Sequence, residues 1–322
     1  MNPAEMITLR QLRALATVAR TGSMTAAARE LGLTTPAVHS QIKMLEEALG
    51  LPLLYRHGDG SGSGPTLAGQ VMLASAGRID AALTQAVQQV LAFRDGRAGR
   101  VTLGVVSTAK YFAPRLVKVL RSLHPDIEVV LEVGNREQIL GDLERMHFDL
   151  AIMGRPPRTP PNEAWPLGPH PHGVIAPPDH PLAGMAGLTA ADLSGETFIA
   201  REPGSGTRIL MMRYLERLGE GAPRSLVEMG SNETIKQAVM AGLGIAFLSL
   251  HTVADELRNG SLITLPAPGL PVERHWFLVR RLDQPALPAT RELEKTILSL
   301  NGSFLPVLPV LPTPVATPTT TG

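Results

Sequence analysis

The stretch of sequence that decides the fold runs from residue 9 to residue 64 and reads LRQLRALATVARTGSMTAAARELGLTTPAVHSQIKMLEEALGLPLLYRHGDGSGSG. Apolar residues recur at helical intervals from Leu9 to Ala19 and form one stripe, which predicts a first helix. Gly22 ends that helix, and Ser23 can cap a second, alanine-rich helix by accepting a backbone N–H. Because a third helix and a glycine-rich hairpin follow, the stretch predicts a winged helix-turn-helix.

The third helix presents two faces of different chemistry. Thr34 or Thr35 caps it, and Pro36 stands in its first turn, where a missing backbone N–H costs nothing. Its apolar stripe steps by four, three and four residues through Val38, Ile42, Leu45 and Leu49. The other face carries short polar side chains, as reading of the major groove requires, although plain packing of three helices fits the spacing equally well. The candidate DNA-binding residues are Ser23, Thr34, Thr35, Pro36, His39, Ser40, Lys43 and Arg56.

Several strings in this stretch resemble the LysR-type transcriptional regulators. They are Gly22-Ser23 to Ala28, Pro36-Ala37-Val38, Gln41-Ile42 and the run from Leu45 to Arg56. The resemblance implies binding to double-stranded promoter DNA as a homo-oligomer, a dimer and further a tetramer. RNA polymerase is a candidate partner of such a regulator.

Three positions depart from the family pattern. Ser40 and Met44 stand where the family often has arginine, and Leu54 stands where it usually has phenylalanine. The wing tip lacks the usual basic residue, and residues 1–64 hold six Lys and Arg against five Asp and Glu. Because this surface carries little net charge, we expect DNA affinity to depend on dimerisation and geometry more than on phosphate contacts.

Composition excludes several classes of function. The chain has 322 residues, a formal charge of +1 and no cysteine, which excludes disulfides, thiolate metal sites and cysteine catalysis. It shows neither a signal-peptide pattern nor an apolar run that could span a bilayer, so we expect a soluble cytoplasmic protein without a membrane partner. We expect no metal and no covalently bound cofactor.

A long helix follows the hairpin, over residues 66–95. Its seam steps by four, three, four, four and three residues through Met72, Ala76, Ile79, Leu83, Val87 and Val90. This is the spacing of a coiled coil, although a helix lying on the surface of its own domain would also show it. The family resemblance implies a dimerising linker helix. Residues 94–100 break the helix and predict a hinge.

Strands and helices alternate from residue 101, which predicts parallel sheets with helices on their faces. Predicted strands cover 101–106, 127–133, 148–153, 173–176, 197–200, 226–229, 244–248 and 276–279, and predicted helices cover 114–123, 136–146, 207–218, 232–241 and 288–300. The proline-rich run 156–171 is predicted to be an irregular connector. The resemblance implies an α/β effector domain of two lobes with the type 2 periplasmic-binding-protein fold.

The predicted domain organisation follows from these elements. It comprises a winged helix-turn-helix domain at 1–65, the linker helix at 66–95, a first lobe at 96–171 and 272–300, a second lobe at 172–271, and a tail at 301–322. The tail is rich in proline and threonine, and we expect it to be disordered because little in it can pack.

An effector site is expected where strands end and helices begin, since ligands of such sheets bind there. Three segments supply hydroxyls, amides and charge, although an ordinary helix cap would also explain the glycine-rich one. Their candidate effector-binding residues are Ser107, Thr108, Lys110, Asn135, Arg136, Glu202, Ser205, Gly206, Thr207 and Arg208. Glycine amides, hydroxyls and arginine together favour a small anion, while Glu202 argues against a purely cationic wall.

The strings at 107–112, 153–157 and 201–208 resemble the CbbR branch of the LysR type. That branch regulates carbon-dioxide-fixation operons, those of the Calvin cycle and RuBisCO, in response to small phosphorylated metabolites or nicotinamide nucleotides. The resemblance adds Arg155 to the candidate effector-binding residues. His170 and His172 are expected to be solvated loop residues rather than metal ligands.

Three other functions stay open from the sequence. One is a LysR-type regulator of another pathway, such as organic-acid or aromatic catabolism. A second is a solute-binding or transport component, which residues 1–64 and the missing signal peptide argue against. The third is an enzyme, which is disfavoured because no nucleophile motif or paired carboxylates stand in the sequence.

Overall fold

The computed structural model describes residues 3–56, 63–95, 99–185, 187–219 and 223–311. The chain divides into two compact units, one of residues up to Leu91 with Arg145–His147, and the other of Ala92–Glu144 with the residues from Phe148 onward. In the described part of the chain, no helix combines the length and the apolar character that crossing a membrane requires.

The helices are α1 (Pro3–Met6), α2 (Leu9–Thr21), α3 (Met24–Leu31), α4 (Thr35–Leu49), α5 (Leu67–Asp95), α6 (Ala113–Leu123), α7 (Arg136–Glu144), α8 (Ala190–Ser194), α9 (Gly206–Leu218), α10 (Asn232–Met240), α11 (Ala254–Asn259) and α12 (Pro288–Ser299). The strands are β1 (Leu54–Arg56), β2 (Ser63–Pro65), β3 (Gly99–Val106), β4 (Ile127–Gly134), β5 (Leu150–Met153), β6 (Asn162–Pro169), β7 (His172–Ala176), β8 (Thr197–Arg201), β9 (Ser225–Met229), β10 (Ala246–Ser249), β11 (Ile263–Thr264) and β12 (His275–Arg281). Two short 3-10 helices cover Ser107–Tyr111 and Leu250–Thr252.

The first unit is the predicted winged helix-turn-helix. The Ser23 hydroxyl accepts from the Ala26 N–H at the start of α3, and Gly22 ends α2 in the left-handed conformation with a φ of 68°. Buried alanines of α3 let its neighbours approach closely, and the core also takes residues from α2, α4 and the start of α5. Strands β1 and β2 pair antiparallel as the wing. The wing tip, residues 57–62, lies outside the described residues.

Helix α5 confirms the predicted long helix, and its apolar seam is buried at one end only. Met72 and Ala76 pack against the core of the first unit. Further along, Ile79, Leu83, Val87 and Val90 are between 37% and 66% exposed. Because this apolar stripe stays in contact with solvent in the isolated chain, the structure favours a partner over a helix lying on its own domain. Dimerisation through α5 stays a prediction.

The second unit contains two lobes. The first lobe holds a five-stranded sheet in the order β4-β3-β5-β12-β6, and the second lobe holds β10-β7-β11 and β8-β9. A parallel bridge between Phe198 and Ile245 joins the two sheets of the second lobe. The predicted parallel pairing is confirmed for β3 with β4 and β5 and for β8 with β9. The sheets also contain antiparallel pairs that the sequence did not predict, because β12 runs antiparallel to β5 and β6, and β7 runs antiparallel to β10 and β11. Strand β12 is the segment in which the chain returns to the first lobe.

The predicted connector at 156–171 is wrong over half its length, since Asn162–Pro169 forms strand β6. This strand lies at the edge of its sheet and pairs with β12 alone. An edge strand needs backbone N–H donors on one side only, so Pro166 and Pro169 are tolerated there. The rule that a proline-rich run cannot form a strand holds for a central strand but not for an edge strand.

The prediction that the tail cannot pack is wrong for residues 301–311. Phe304 and Leu305 are buried in the core of the first lobe. Leu308 and Leu311 pack against a core cluster of the second lobe. The amino-acid composition of the tail does not reveal this packing, because the packing depends on the spacing of the leucines. They recur at every third position, which places them on one face of an extended chain with three residues per turn. Residues 312–322 lie outside the described residues.

Candidate DNA-reading helix and effector cavity

Helix α4 exposes the predicted DNA-reading face. Val38, Ile42 and Leu45 are buried on one side, and on the other side the predicted residues Pro36, His39, Ser40 and Lys43 are exposed, with Thr35 half-buried. Such an exposed polar face at the start of a second helix fits a major groove. Both predicted helix caps are present. The Thr34 hydroxyl accepts from the Ala37 N–H at 3.3 Å, and the Ser23 hydroxyl accepts from the Ala26 N–H. The Arg56 side chain lies outside the described residues.

Replacing Lys43 by alanine is expected to weaken binding to most DNA sequences and to reduce the salt dependence of binding by about one phosphate contact. His39→Ala should instead change sequence preference, because a side chain that reaches base edges carries specificity. Titrations of operator and unrelated DNA at several salt concentrations measure both effects. Glu47→Gln is the control, since it removes the 3.6 Å ion pair of Lys43 but keeps the amine. Wild-type salt slopes and preferences in both variants would exclude α4 as the reader.

A cavity of about 270 Å³ lies between the two lobes of the second unit. It brings together seven of the predicted effector-binding residues, namely Ser107, Thr108, Arg136, Arg155, Ser205, Gly206 and Thr207. The sequence did not predict the other lining residues, which are Val106, Gly154, His170, His172, Ile209, Leu210, Arg213 and Arg274.

Four predicted effector-binding residues lie outside the cavity lining, and their polar groups have partners elsewhere. Lys110 pairs with Glu233 at 2.6 Å, and Arg208 pairs with Glu228 at 2.7 Å. Glu202 accepts from the buried Arg201 at 2.7 Å and from Asn135 at 3.4 Å. The Arg201 guanidinium helps to hold the pKa of Glu202 below its usual value against the opposing effect of burial.

The two lobes contribute backbone and hydroxyl groups to opposite walls of the cavity. Ser107 and Thr108 begin the 3-10 helix that follows β3, and Ser205 precedes the first turn of α9. Gly204 shapes the turn before α9 because its φ of 83° is in the left-handed region. The N–H groups of the first turn of α9 have no partner within the helix, so they can bind an anion.

Four arginines give the cavity its charge. The Arg136 guanidinium donates to the carbonyl oxygen of Arg155 at 2.7 Å. Burial lowers the pKa of Arg136, and the charges of Arg155 and Arg213 lower it further. The guanidinium groups of Arg155, Arg213 and Arg274 contact no carboxylate among the described residues, and no carboxylate lines the cavity. These like charges repel one another, so an anion bound here would relieve the repulsion.

The expectation of solvated histidines is wrong, since His170 and His172 are buried in the inner wall of the cavity. The ring of His170 stacks on that of Trp276 at a centroid distance of 3.6 Å, and its Nε2 lies 2.9 Å from the Ser249 hydroxyl. The Trp276 indole N–H donates to Nδ1 of His251 at 3.0 Å. The residues that bury His170 and His172 are distant from them in sequence. The local sequence around Pro171 is typical of a loop, so it did not predict this burial.

The pKa of each of these three histidines lies below its usual value, and burial is the main cause. The pKa of His172 falls to about 3 and that of His251 to about 4. The pKa of His170 is also lowered well below normal, by burial and then by His172, His251 and Arg274. The rings are therefore neutral near pH 7. In the described part of the chain, no cluster of three or more histidines and carboxylates is arranged to hold a metal ion.

Comparisons with known proteins identify both units. Residues 9–70 match the family described as bacterial regulatory helix-turn-helix protein, lysR family, and residues 94–300 match the LysR substrate binding domain. The chain belongs to the LysR family, so it is a DNA-binding transcriptional regulator with an effector-binding domain and not an enzyme. This family membership confirms the predicted fold class.

Two relatives and one solved structure show the closer similarities. The HTH-type transcriptional regulator CbbR of Cereibacter sphaeroides is 58% identical over 305 residues, which cover 95% of this chain and 98% of that protein. The RuBisCO operon transcriptional regulator of Allochromatium vinosum is 40% identical and covers 91% of this chain and 96% of its own. The regulatory domain of Synechocystis PCC6803 CcmR, solved in complex with 2-PG, is 35% identical, with a TM-score of 0.60, and covers 63% of this chain and 97% of its own.

Proposed function

We propose that this protein controls the transcription of a carbon-dioxide-fixation operon in response to a small phosphorylated metabolite. The similarity to regulators named CbbR and to a RuBisCO operon regulator, each covering more than nine-tenths of this chain, supports the pathway. The proposed partners are double-stranded promoter DNA, a second copy of the chain through α5, and RNA polymerase at the promoter.

The single observation that carries the effector proposal is the set of guanidinium groups in the inter-lobe cavity. Arg155, Arg213 and Arg274 face it without a carboxylate partner among the described residues. Arginine binds phosphate and carboxylate oxygens through paired N–H donors, so the arrangement fits a phosphoryl or carboxyl group. The related domain that holds 2-PG supports the same chemistry.

The size of the cavity favours a small effector. Its volume of about 270 Å³ lies just below the range of about 300–1,000 Å³ that is typical of sites for drug-sized ligands. A phosphorylated acid or short sugar phosphate therefore fits better than a nicotinamide nucleotide, the other effector class that the sequence predicts. Because both lobes line the cavity, an effector held by both stabilises one relative orientation of the lobes.

Arg213→Gln is expected to weaken the binding of 2-PG roughly 10- to 150-fold, because a lost hydrogen bond to a charged group costs about 1.5–3 kcal/mol. Isothermal titration at constant ionic strength measures the affinity, and a thermal shift confirms stabilisation by ligand. Arg217→Gln, four residues further along α9 and outside the cavity lining, is the matched control. Equal 2-PG affinity in both variants and the wild type would contradict the proposed site.

The pathway itself is tested with DNA. We expect the protein to protect the promoter of a RuBisCO operon from nuclease cleavage at concentrations that leave an unrelated promoter unprotected. Protection of both promoters at the same concentrations would contradict the proposed target while leaving the effector cavity intact.

A further inference from the structure

His172 occupies an unusual position in the inner wall of the cavity. It begins strand β7, and its side chain is 4% exposed. The ring lies between the rings of His170 and Phe247, at centroid distances of 4.2 and 5.9 Å. Its Nδ1 is 3.0 Å from the carbonyl oxygen of His170. A carbonyl oxygen can only accept, so Nδ1 carries the proton and donates it to this bond.

The other ring nitrogen of His172 is consequently an acceptor. Burial lowers the pKa of His172 to about 3, so the ring is neutral at physiological pH. A neutral imidazole protonated at Nδ1 leaves a lone pair on Nε2. Among the described residues, Nε2 makes no hydrogen bond. The cavity thus combines guanidinium groups, which can only donate, with one ring nitrogen that can only accept.

We propose that His172 makes the cavity selective for effectors that carry a hydroxyl group beside their anionic group. The anion binds the arginines, and the hydroxyl donates its hydrogen bond to Nε2 of His172. An anion without such a donor displaces water from Nε2 and leaves this nitrogen without a hydrogen bond. The unpaired polar atom lowers the affinity for that anion. This inference rests on the proposed function, in which the cavity holds a small anion.

The test compares two probes of the same charge and chain length, glycerol 3-phosphate and n-propyl phosphate. Isothermal titration of the wild-type protein should show roughly tenfold tighter binding of glycerol 3-phosphate. His172→Phe keeps a ring between its neighbours but has no acceptor, so its two affinities should become equal. Arg213→Gln should weaken both probes alike and keep their ratio.

Nitrogen NMR of the wild-type protein tests the same claim without a variant. Glycerol 3-phosphate should shift the resonance of the unprotonated His172 Nε2, and n-propyl phosphate should shift it far less. Equal wild-type affinities for the two probes, or a preference that survives in His172→Phe, would overturn the role of His172. Failure of both probes to bind, with no effect of Arg213→Gln on 2-PG, would overturn the proposed function instead.

A different observation concerns the C-terminal strap, which we define as residues 304–311. The Phe304 ring lies 5.7 Å from that of Phe112 in the first lobe. Leu308 and Leu311 pack against the core of the second lobe, and Arg258 of that lobe donates to the Val307 carbonyl at 3.2 Å. The strap therefore passes from one lobe to the other.

The spacing of the strap suits it for this crossing. Leu305, Leu308 and Leu311 stand at every third position, which is one face of a polyproline II chain. Pro306 and Pro309 restrict the backbone between them, so little conformational entropy is lost when the strap docks. At about 3.1 Å per residue, the eight residues extend about 22 Å. Val310, on another face, is fully exposed.

We infer that the strap restrains the relative orientation of the two lobes and so limits how far an effector can change it. The chain has no cysteine, so two engineered cysteines can be labelled cleanly. Spin labels at Lys295→Cys in the first lobe and Asp179→Cys in the second report the distance between lobes by electron–electron resonance. Dilution with unlabelled protein restricts the signal to single chains.

The double variant Leu308→Asp, Leu311→Asp is expected to broaden the distance distribution, since two carboxylates cannot remain against an apolar core. Val310→Asp adds the same kind of charge to the exposed face and should keep the narrow wild-type distribution. A double variant with the wild-type distribution would overturn the inference. Equal broadening in Val310→Asp would also overturn it, because docking of the leucine face would then not be the cause.

Discussion

Lowering the pH from 7 to 5 is expected to reduce the free energy of unfolding of the effector domain by about 4 kcal/mol through His172 and His251, because these buried histidines stay neutral in the native state, and the buried His170 acts in the same direction. His170, His172 and His251 are each at most 4% exposed. Their native pKa values lie below the ordinary value of 6.5, at about 3 for His172 and about 4 for His251. The loss is a large fraction of the stability of a typical domain, about 5–15 kcal/mol.

The direction of the effect follows from proton binding. Below pH 6.5 the unfolded chain protonates its histidines while the native chain does not, so acid favours unfolding. The contribution of each histidine is fully present above pH 6.5. It falls by about 1.4 kcal/mol per pH unit as the pH drops towards the native pKa. At pH 5 this amounts to about 2 kcal/mol each for His172 and His251.

Urea unfolding between pH 5 and pH 7 measures this slope. Fluorescence is a suitable signal, because Trp276 is buried in the core of the first lobe and Trp165, the other tryptophan, packs against that core. His251→Gln keeps an acceptor for the Trp276 N–H but cannot titrate, so its slope should be clearly smaller than that of the wild type. His275→Gln, at an exposed position, is the control. A wild-type slope in His251→Gln would contradict a neutral, buried His251 in the native state.

Leu83→Asp is expected to abolish high-affinity binding to a two-half-site operator. Leu83 lies in the middle of the exposed seam of α5, where a second copy of the helix would bury it. A carboxylate in an apolar interface has no partner and destabilises the dimer. Two DNA-reading helices must be held about 34 Å apart to enter successive major grooves. Losing that linkage typically lowers apparent affinity about 100- to 10,000-fold.

Sedimentation and DNA titration together test this prediction. Thr84→Asp adds the same charge one residue further along, at an exposed position outside the seam, and should remain dimeric. The far-ultraviolet circular dichroism of Leu83→Asp should match the wild type, because Leu83 lies outside the core of the first unit. A Leu83→Asp protein that stays fully dimeric would contradict the role of the seam.

Local signals were sufficient to predict the DNA-binding unit. Capping residues, helical spacing and glycine stops act over a few residues, and Ser23, Thr34 and Gly22 have the predicted roles. In the second unit the same rules located most strands and helices but misassigned β6. Edge position in a sheet is a property of the whole fold, so a proline rule applied to a local window could not detect it.

The effector cavity was predictable only in part. The sequence correctly predicted that Ser107, Thr108, Ser205 and Thr207 line the cavity. They directly follow a strand or begin a helix, and such positions recur at ligand sites of α/β sheets. Arg213 lies in the second turn of α9 and Arg274 just before β12, where no local motif marks a ligand site. Of these two arginines, only Arg213 could have been proposed from the sequence, because it lies on the same predicted helix as Thr207. Lys110 and Arg208 looked suitable by type, but each is neutralised by a carboxylate distant in sequence.

We expect an anion in the inter-lobe cavity to change how this regulator binds DNA. The most direct test is the affinity for 2-PG measured with and without saturating operator DNA, since coupling between two sites must be reciprocal. We predict that DNA changes this affinity at least about fivefold, the lower end of typical coupling, in the wild type and in Arg217→Gln. Arg213→Gln should lose 2-PG binding in both conditions. An affinity for 2-PG that is the same with and without DNA would contradict this expectation.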